Sequence, residues 1–72
     1  MTDITGVDTG VIKVTTDDAA VIAYLAGLPN SWAGHAGYAG GETAQLSTVD
    51  GAVQAWYCSR AAYLVVEGLL VS

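Results

Sequence analysis

The chain has one cysteine, one histidine, one proline, no phenylalanine and two basic side chains among its 72 residues. Each scarcity narrows what the protein can be. Cys58 alone closes no internal disulfide. With His35 as the sole histidine, a Cys/His zinc cage cannot be assembled within one chain. Lys13 and Arg60 stand against seven acidic residues, for a net charge of -5. Nucleic-acid affinity comes largely from neutralising phosphates with Lys and Arg, so DNA or RNA is not an expected partner. Anionic membrane surfaces are disfavoured on the same ground. No long hydrophobic run is present either. The longest apolar stretch, AAYLVVEGLLV (61–71), is interrupted by Glu67 and Gly68 and falls short of the ~20 residues a membrane span requires. Residues 1–10 carry Asp3 and Asp8 but no cation, the reverse of a signal peptide's start. A cytoplasmic site of synthesis, where Cys58 stays reduced, is the expectation.

What the chain does have is apolar surface. Hydrophobic residues make up 53% of it. A domain of this size buries only about 60% of the surface that its unfolded chain exposes. Small scaffolds are usually stapled by disulfides, a metal or oligomerisation. With the first two removed, burial against copies of itself or against a larger partner is the expectation. Trp32, Trp56, four tyrosines and the Leu, Val and Ile set exceed what a monomer this short covers comfortably, and exposed apolar patches mark interaction sites.

Residues 1–10 read as a flexible arm, and 11–72 as a single small domain. VIKVTT (11–16) is rich in β-branched residues and predicts a strand with one wet face, where Lys13 and Thr15 lie. Thr16 or Asp17 then predicts an N-cap, with Asp17 and Asp18 favourably placed for the helix dipole. DDAAVIAYLAGL supports a helix in which Ala20, Tyr24 and Gly27 lie along one line with Val21, Leu25 and Leu28 beside it, and Gly27 and Pro29 supply the stop. PNSWAGHAGYAGG (29–41) predicts a Gly-rich loop whose aromatics, Trp32 and Tyr38, either anchor a partner or cover the core edge.

Two readings of the C-terminal half are open. GETAQLST and AVQAWYCS form strands joined at Val49-Asp50-Gly51, with AYLVVEGLLVS as a further strand; or Ser47 caps a long helix. The strand reading is preferred, because Arg60 and Glu67 would fall on the apolar face of that helix and Gly51 and Gly68 would lie inside it. The expected class is therefore α+β: an N-terminal strand, one short helix, and a C-terminal antiparallel hairpin plus strand.

Catalytic patterns are sparse. Asp8-Thr9-Gly10 matches the aspartic-protease tripeptide, but the residues around it do not follow that pattern. Cys58 and His35 lack a third, orienting group, and Cys58 sits beside Trp56 and Tyr57 as a small hydrophobe would. The acidic residues are scattered and follow no EF-hand spacing. No Gly-rich nucleotide loop is present. No enzymatic activity, cofactor or metal is expected. The expected contact surface is apolar: Trp32, Tyr38, Trp56, Tyr63, Leu69, Leu70 and Val71, with Arg60 available to an acidic group.

The stretch Gly41-Glu42, Leu46, Asp50-Gly51, Val53 to Tyr57 and Leu64-Val65-Val66-Glu67-Gly68 resembles the β-rich decoration (cement) proteins of tailed-bacteriophage capsids. The resemblance is confined to the C-terminal half. It implies a non-enzymatic virion protein, often trimeric, that docks on an assembled capsid lattice and clamps neighbouring capsomers. The rival expectation is an acidic adaptor or inhibitor that occupies a basic cleft on one host protein.

Overall fold

The computed structural model describes residues 1–30 and 41–71. Strand β1 (Thr2–Thr5) is followed by β2 (Ile12–Thr16), helix α1 (Ala19–Ala26), β3 (Ala44–Asp50), β4 (Val53–Cys58) and helix α2 (Arg60–Val71). The four strands form one antiparallel sheet in the order β1-β2-β4-β3. The class is α+β, as expected.

Alternation in β2 sets the sheet's two faces. Ile12, Val14 and Thr16 are buried, while Lys13 and Thr15 are only half-buried. Cross-strand partners share a face, so Ile12 joins Cys58 and Ala44, and Val14 joins Trp56. Onto this face both helices dock, through Val21 and Leu25 of α1 and Ala62 and Val66 of α2. The other face carries Thr5, Lys13, Thr15, Gln45 and Tyr57. Lys13 Nζ lies 5.8 Å from the Tyr57 ring centroid, a cation–π contact on a polar, wet surface.

The helix α1 begins one or two residues later than the sequence suggests. Asp18 is the cap: its Oδ1 accepts from the N–H groups of Ala20 (2.9 Å) and Val21 (3.2 Å). Thr16 and Asp17 have other partners. The Thr16 hydroxyl accepts from the Asp18 N–H at 3.0 Å, and Asp17 accepts from the N-terminal ammonium at 2.6 Å. Gly27 closes the helix.

The β3–β4 hairpin is borne out, with its turn one residue further on. Asp50 still pairs with Val53, so Gly51 and Ala52 form the loop. Gly51 takes φ 63, and among the described residues no non-glycine has positive φ, which is the pattern of a hairpin turn with glycine first.

Two expectations are corrected. Residues 2–5, expected as part of a flexible arm, pair with β2 from Thr2↔Thr16 to Thr5↔Lys13. Thr2, Ile4 and Thr5 are β-branched and suit a strand, but four residues cannot hold one alone, and their order comes from β2's open edge. The terminal segment, expected as a strand, is helix α2. β4 has β2 on one side and β3 on the other, so the segment that follows cannot pair with β4 itself. A helix starting at Ser59 instead turns Ala62 and Val66 onto the core.

Helix α2 repeats the local chemistry of α1. Ser59 Oγ accepts from the Ala62 N–H at 3.3 Å, as Asp18 accepts from Val21. Each helix then buries the residues three and seven places after its cap, Val21 with Leu25 and Ala62 with Val66. The chain is thus two hairpin–helix halves, β1-β2-α1 and β3-β4-α2. They are related by an approximate two-fold axis through the Val14–Trp56 pair, on either side of which Ile12↔Cys58 and Thr16↔Gln54 lie symmetrically.

Candidate functional site

The expected contact residues separate into three groups. Trp32 and Tyr38 lie outside the described residues, as does His35. Trp56 is interior, 8% exposed, and its indole N–H donates to Gln54 Oε1 at 2.9 Å. It holds the two halves together and is not offered to a partner. Arg60, Tyr63, Leu69, Leu70 and Val71 all fall on α2.

Helix α2 is fixed at its start by a buried network. Ser59 N–H donates to the Thr43 carbonyl at 3.0 Å, and Thr43 N–H donates back to Ser59 Oγ at 3.1 Å. From that anchor, Ala62 and Val66 enter the core, and Tyr63 packs against it, half-buried. The Tyr63 hydroxyl donates to the Glu67 carboxylate, which raises the tyrosine's pKa.

The outward side of the helix is apolar. Ala61, Leu64, Val65, Gly68 and Val71 follow the three- and four-residue spacing of a single face. Leu64 is 56% exposed and Val71 86% exposed. Leu69, one turn after Val65, and Leu70, two turns after Tyr63, are exposed on the two sides of the helix. Single exposed aliphatics are ordinary on a protein surface, whereas a contiguous stripe of them marks a contact site. Exposed Leu46 and Val49 on β3 add apolar surface elsewhere.

Leu64, Val65 and Gly68 were missed in the sequence because 61–71 reads as a strand. Helical spacing was the available signal. Arg60 and Glu67 argued against a helix only while the helix was started at Ser47. Begun at Ser59, it turns Ala62 and Val66 inward and leaves both charges exposed.

The remaining chemistry is quiet. Asp8-Thr9-Gly10 lies in the β1–β2 connection, where Thr9 donates to the Gly6 carbonyl from both its N–H (3.2 Å) and its hydroxyl (3.1 Å). Cys58 is buried, and desolvation pushes its thiol up to about 11, far from a nucleophile at neutral pH. Tyr24 donates to Glu42, and burial with that bond raises its pKa. Among the described residues no group of three or more His, Cys, Asp or Glu side chains could hold a metal ion. No helix among them is long and apolar enough to cross a membrane. Compared with protein-family models, curated proteins and solved structures, the chain matches none.

Proposed function

We propose that the protein is a non-enzymatic structural component that self-associates and docks on a larger assembly. The observation that carries this reading is the outer face of α2, where Leu64, Val65 and Val71 are exposed on a three-turn helix whose inner face is already satisfied. Leaving such a face in water forfeits roughly 25 cal/mol for each Å² of apolar surface that a partner would cover.

The assembly proposed is a virion shell decorated on its outside. Support comes from the chain's net charge of -5, which keeps it off a packaged genome, and from a size suited to a repeated docking site. The decoration-protein resemblance implies a terminal strand where α2 stands, so self-association is assigned here to a helix face.

The test is solution mass by light scattering across a dilution series reaching high micromolar concentration. The expected result is a mass that rises to a multiple of the 7.3 kDa chain. A mass that stays at one chain throughout would end the self-association reading.

A further inference from the structure

We infer that α2 pairs antiparallel with α2 of a second copy, about a two-fold axis passing close to Leu64. This rests on the self-association reading above and names the surface and its geometry.

Three observations converge on the same face. First, Ala61, Leu64, Val65, Gly68 and Val71 make it apolar, while the core is met from the other side by Ala62 and Val66, with Tyr63 packed beside them.

Second, the charge at the start of α2 is placed against its own helix. Arg60 is its first residue, and neither an acidic residue in the first turn nor a basic one in the last offsets it. A helix dipole disfavours a cation in the first turn. Glu67 lies two turns further on. Arg60, Leu64, Glu67 and Val71 also share one line, so both charges border the apolar face on the same edge. A two-fold axis perpendicular to the helix maps that edge onto itself. An antiparallel copy pivoting near Leu64 therefore brings Arg60 beside Glu67 of the other chain, twice. It also sets each Arg60 alongside the C-terminal half of the neighbouring helix, where a cation is favoured. Parallel pairing would face each charged edge with the opposite, uncharged one.

Third, Gly68 has no reason within the chain. Its φ is not positive, and a Cβ built on it meets nothing within 4 Å. Glycine weakens a helix interior relative to alanine, so the position is weakened without any internal contact requiring it. On the outer face, between Leu64 and Val71, the missing side chain leaves a shallow notch. A neighbouring helix can approach closely there, with the stem of Arg60 or the side chain of Leu64 filling it.

Magnitude limits the strength. Twelve residues make a helix about 18 Å long and 10–12 Å wide. That footprint is far below the roughly 800 Å² per partner of a standard stable interface. The pair should be weak, forming on the order of 100 µM, the affinity of a contact that becomes firm only when repeated in an assembly.

The test is sedimentation equilibrium of the full chain from about 10 µM to about 1 mM, with circular dichroism confirming the fold of each variant. Wild type should move from one copy toward two. R60E sets like charges together at both ends of the pair and should weaken association about tenfold. E67R should do the same, and the R60E/E67R double variant should restore wild-type association. G68Q, which fills the notch from a Cβ position that meets nothing within 4 Å in its own chain, should abolish the dimer. If wild type associates but the double reversal gives no rescue, or G68Q associates normally, this geometry is wrong while the self-association reading stands. If wild type remains a single copy at every concentration, both fall.

Discussion

Val14 and Trp56 face each other across the two central strands, and the whole fold repeats about that pair. Trp56 is the larger half of the contact and is 8% exposed. Truncating a buried Trp to Ala typically costs about 3–5 kcal/mol. At roughly 0.05–0.15 kcal/mol per residue, a chain of this length has a total stability of similar size. Trp56→Ala should therefore leave a substantial unfolded fraction at 25 °C, whereas Val14→Ala should lower the urea midpoint without unfolding the protein. Urea titration followed by circular dichroism separates the two.

The two caps are equivalent in position but not in burial. Asp18 caps from an exposed site, and Asp18→Ala should cost about 1 kcal/mol. Ser59 is buried and serves the N–H groups of both Ala62 and Thr43. Ser59→Ala leaves two buried donors without their side-chain acceptor, so its cost should exceed that of Asp18→Ala by roughly 1–3 kcal/mol. Equal costs in chemical denaturation would mean that the Thr43 contact contributes nothing.

The β1–β2 connection depends on Gly6. Its φ is +80, and a Cβ there would lie 1.9 Å from the Val11 carbonyl oxygen. Gly6→Ala should destabilise by more than ~1 kcal/mol, the reverse of the gain an alanine brings where its backbone fits. Amide exchange should show β1 and β2 losing protection before β3 and β4. Uniform loss across all four strands would contradict this.

Cys58 should be inert in the folded protein. Its thiol, raised by burial to about 11 from an ordinary 9.0, stays protonated at neutral pH. Labelling by a thiol reagent at pH 7.5 should proceed only as fast as the structure opens, and should accelerate in denaturant. Because the folded state holds this proton more tightly, the associated stability is complete below pH 9 and declines as pH rises toward about 11. Cys58→Ala should remove the decline between pH 9 and 10, the raised Tyr24 and Tyr63 leaving a remainder above it.

Acid acts at the opposite end of the sheet. The N-terminal ammonium, through its hydrogen bond and then its charge, holds Asp17 below the usual carboxylate value. A depressed carboxylate stabilises the fold above the unfolded pKa, about 3.9, and this contribution is lost as pH falls through the folded value. The melting temperature of wild type should exceed that of Asp17→Asn at pH 6, with the gap closing by pH 2 and shrinking in high salt. A gap unchanged by acid would rule out the ion pair as its source.

Of the candidate surface, Arg60, Tyr63, Leu69, Leu70 and Val71 were legible as apolar or charged residues near the end of the chain, but their arrangement was not. A strand would have divided Leu64, Val65 and Val71 between two faces; a helix gathers them on one. Trp56 shows the opposite failure. Large aromatics suit an interface and a core equally well, and only the pairing of β2 with β4 decides between them.

By itself the sequence determined what local chemistry can determine. β-branched alternation makes β2, the aspartate and the glycine bound α1, and Gly51 turns the β3–β4 hairpin. These signals act over a few residues and need no distant partner. The tertiary structure decided the rest. Residues 2–5 became a strand because β2 had an open edge. Residues 60–71 became a helix because the core face of the sheet still required cover, which Ala62 and Val66 supply from one side of a helix. In each case the deciding interactions join segments far apart in the chain, and no local preference encodes which of them will meet.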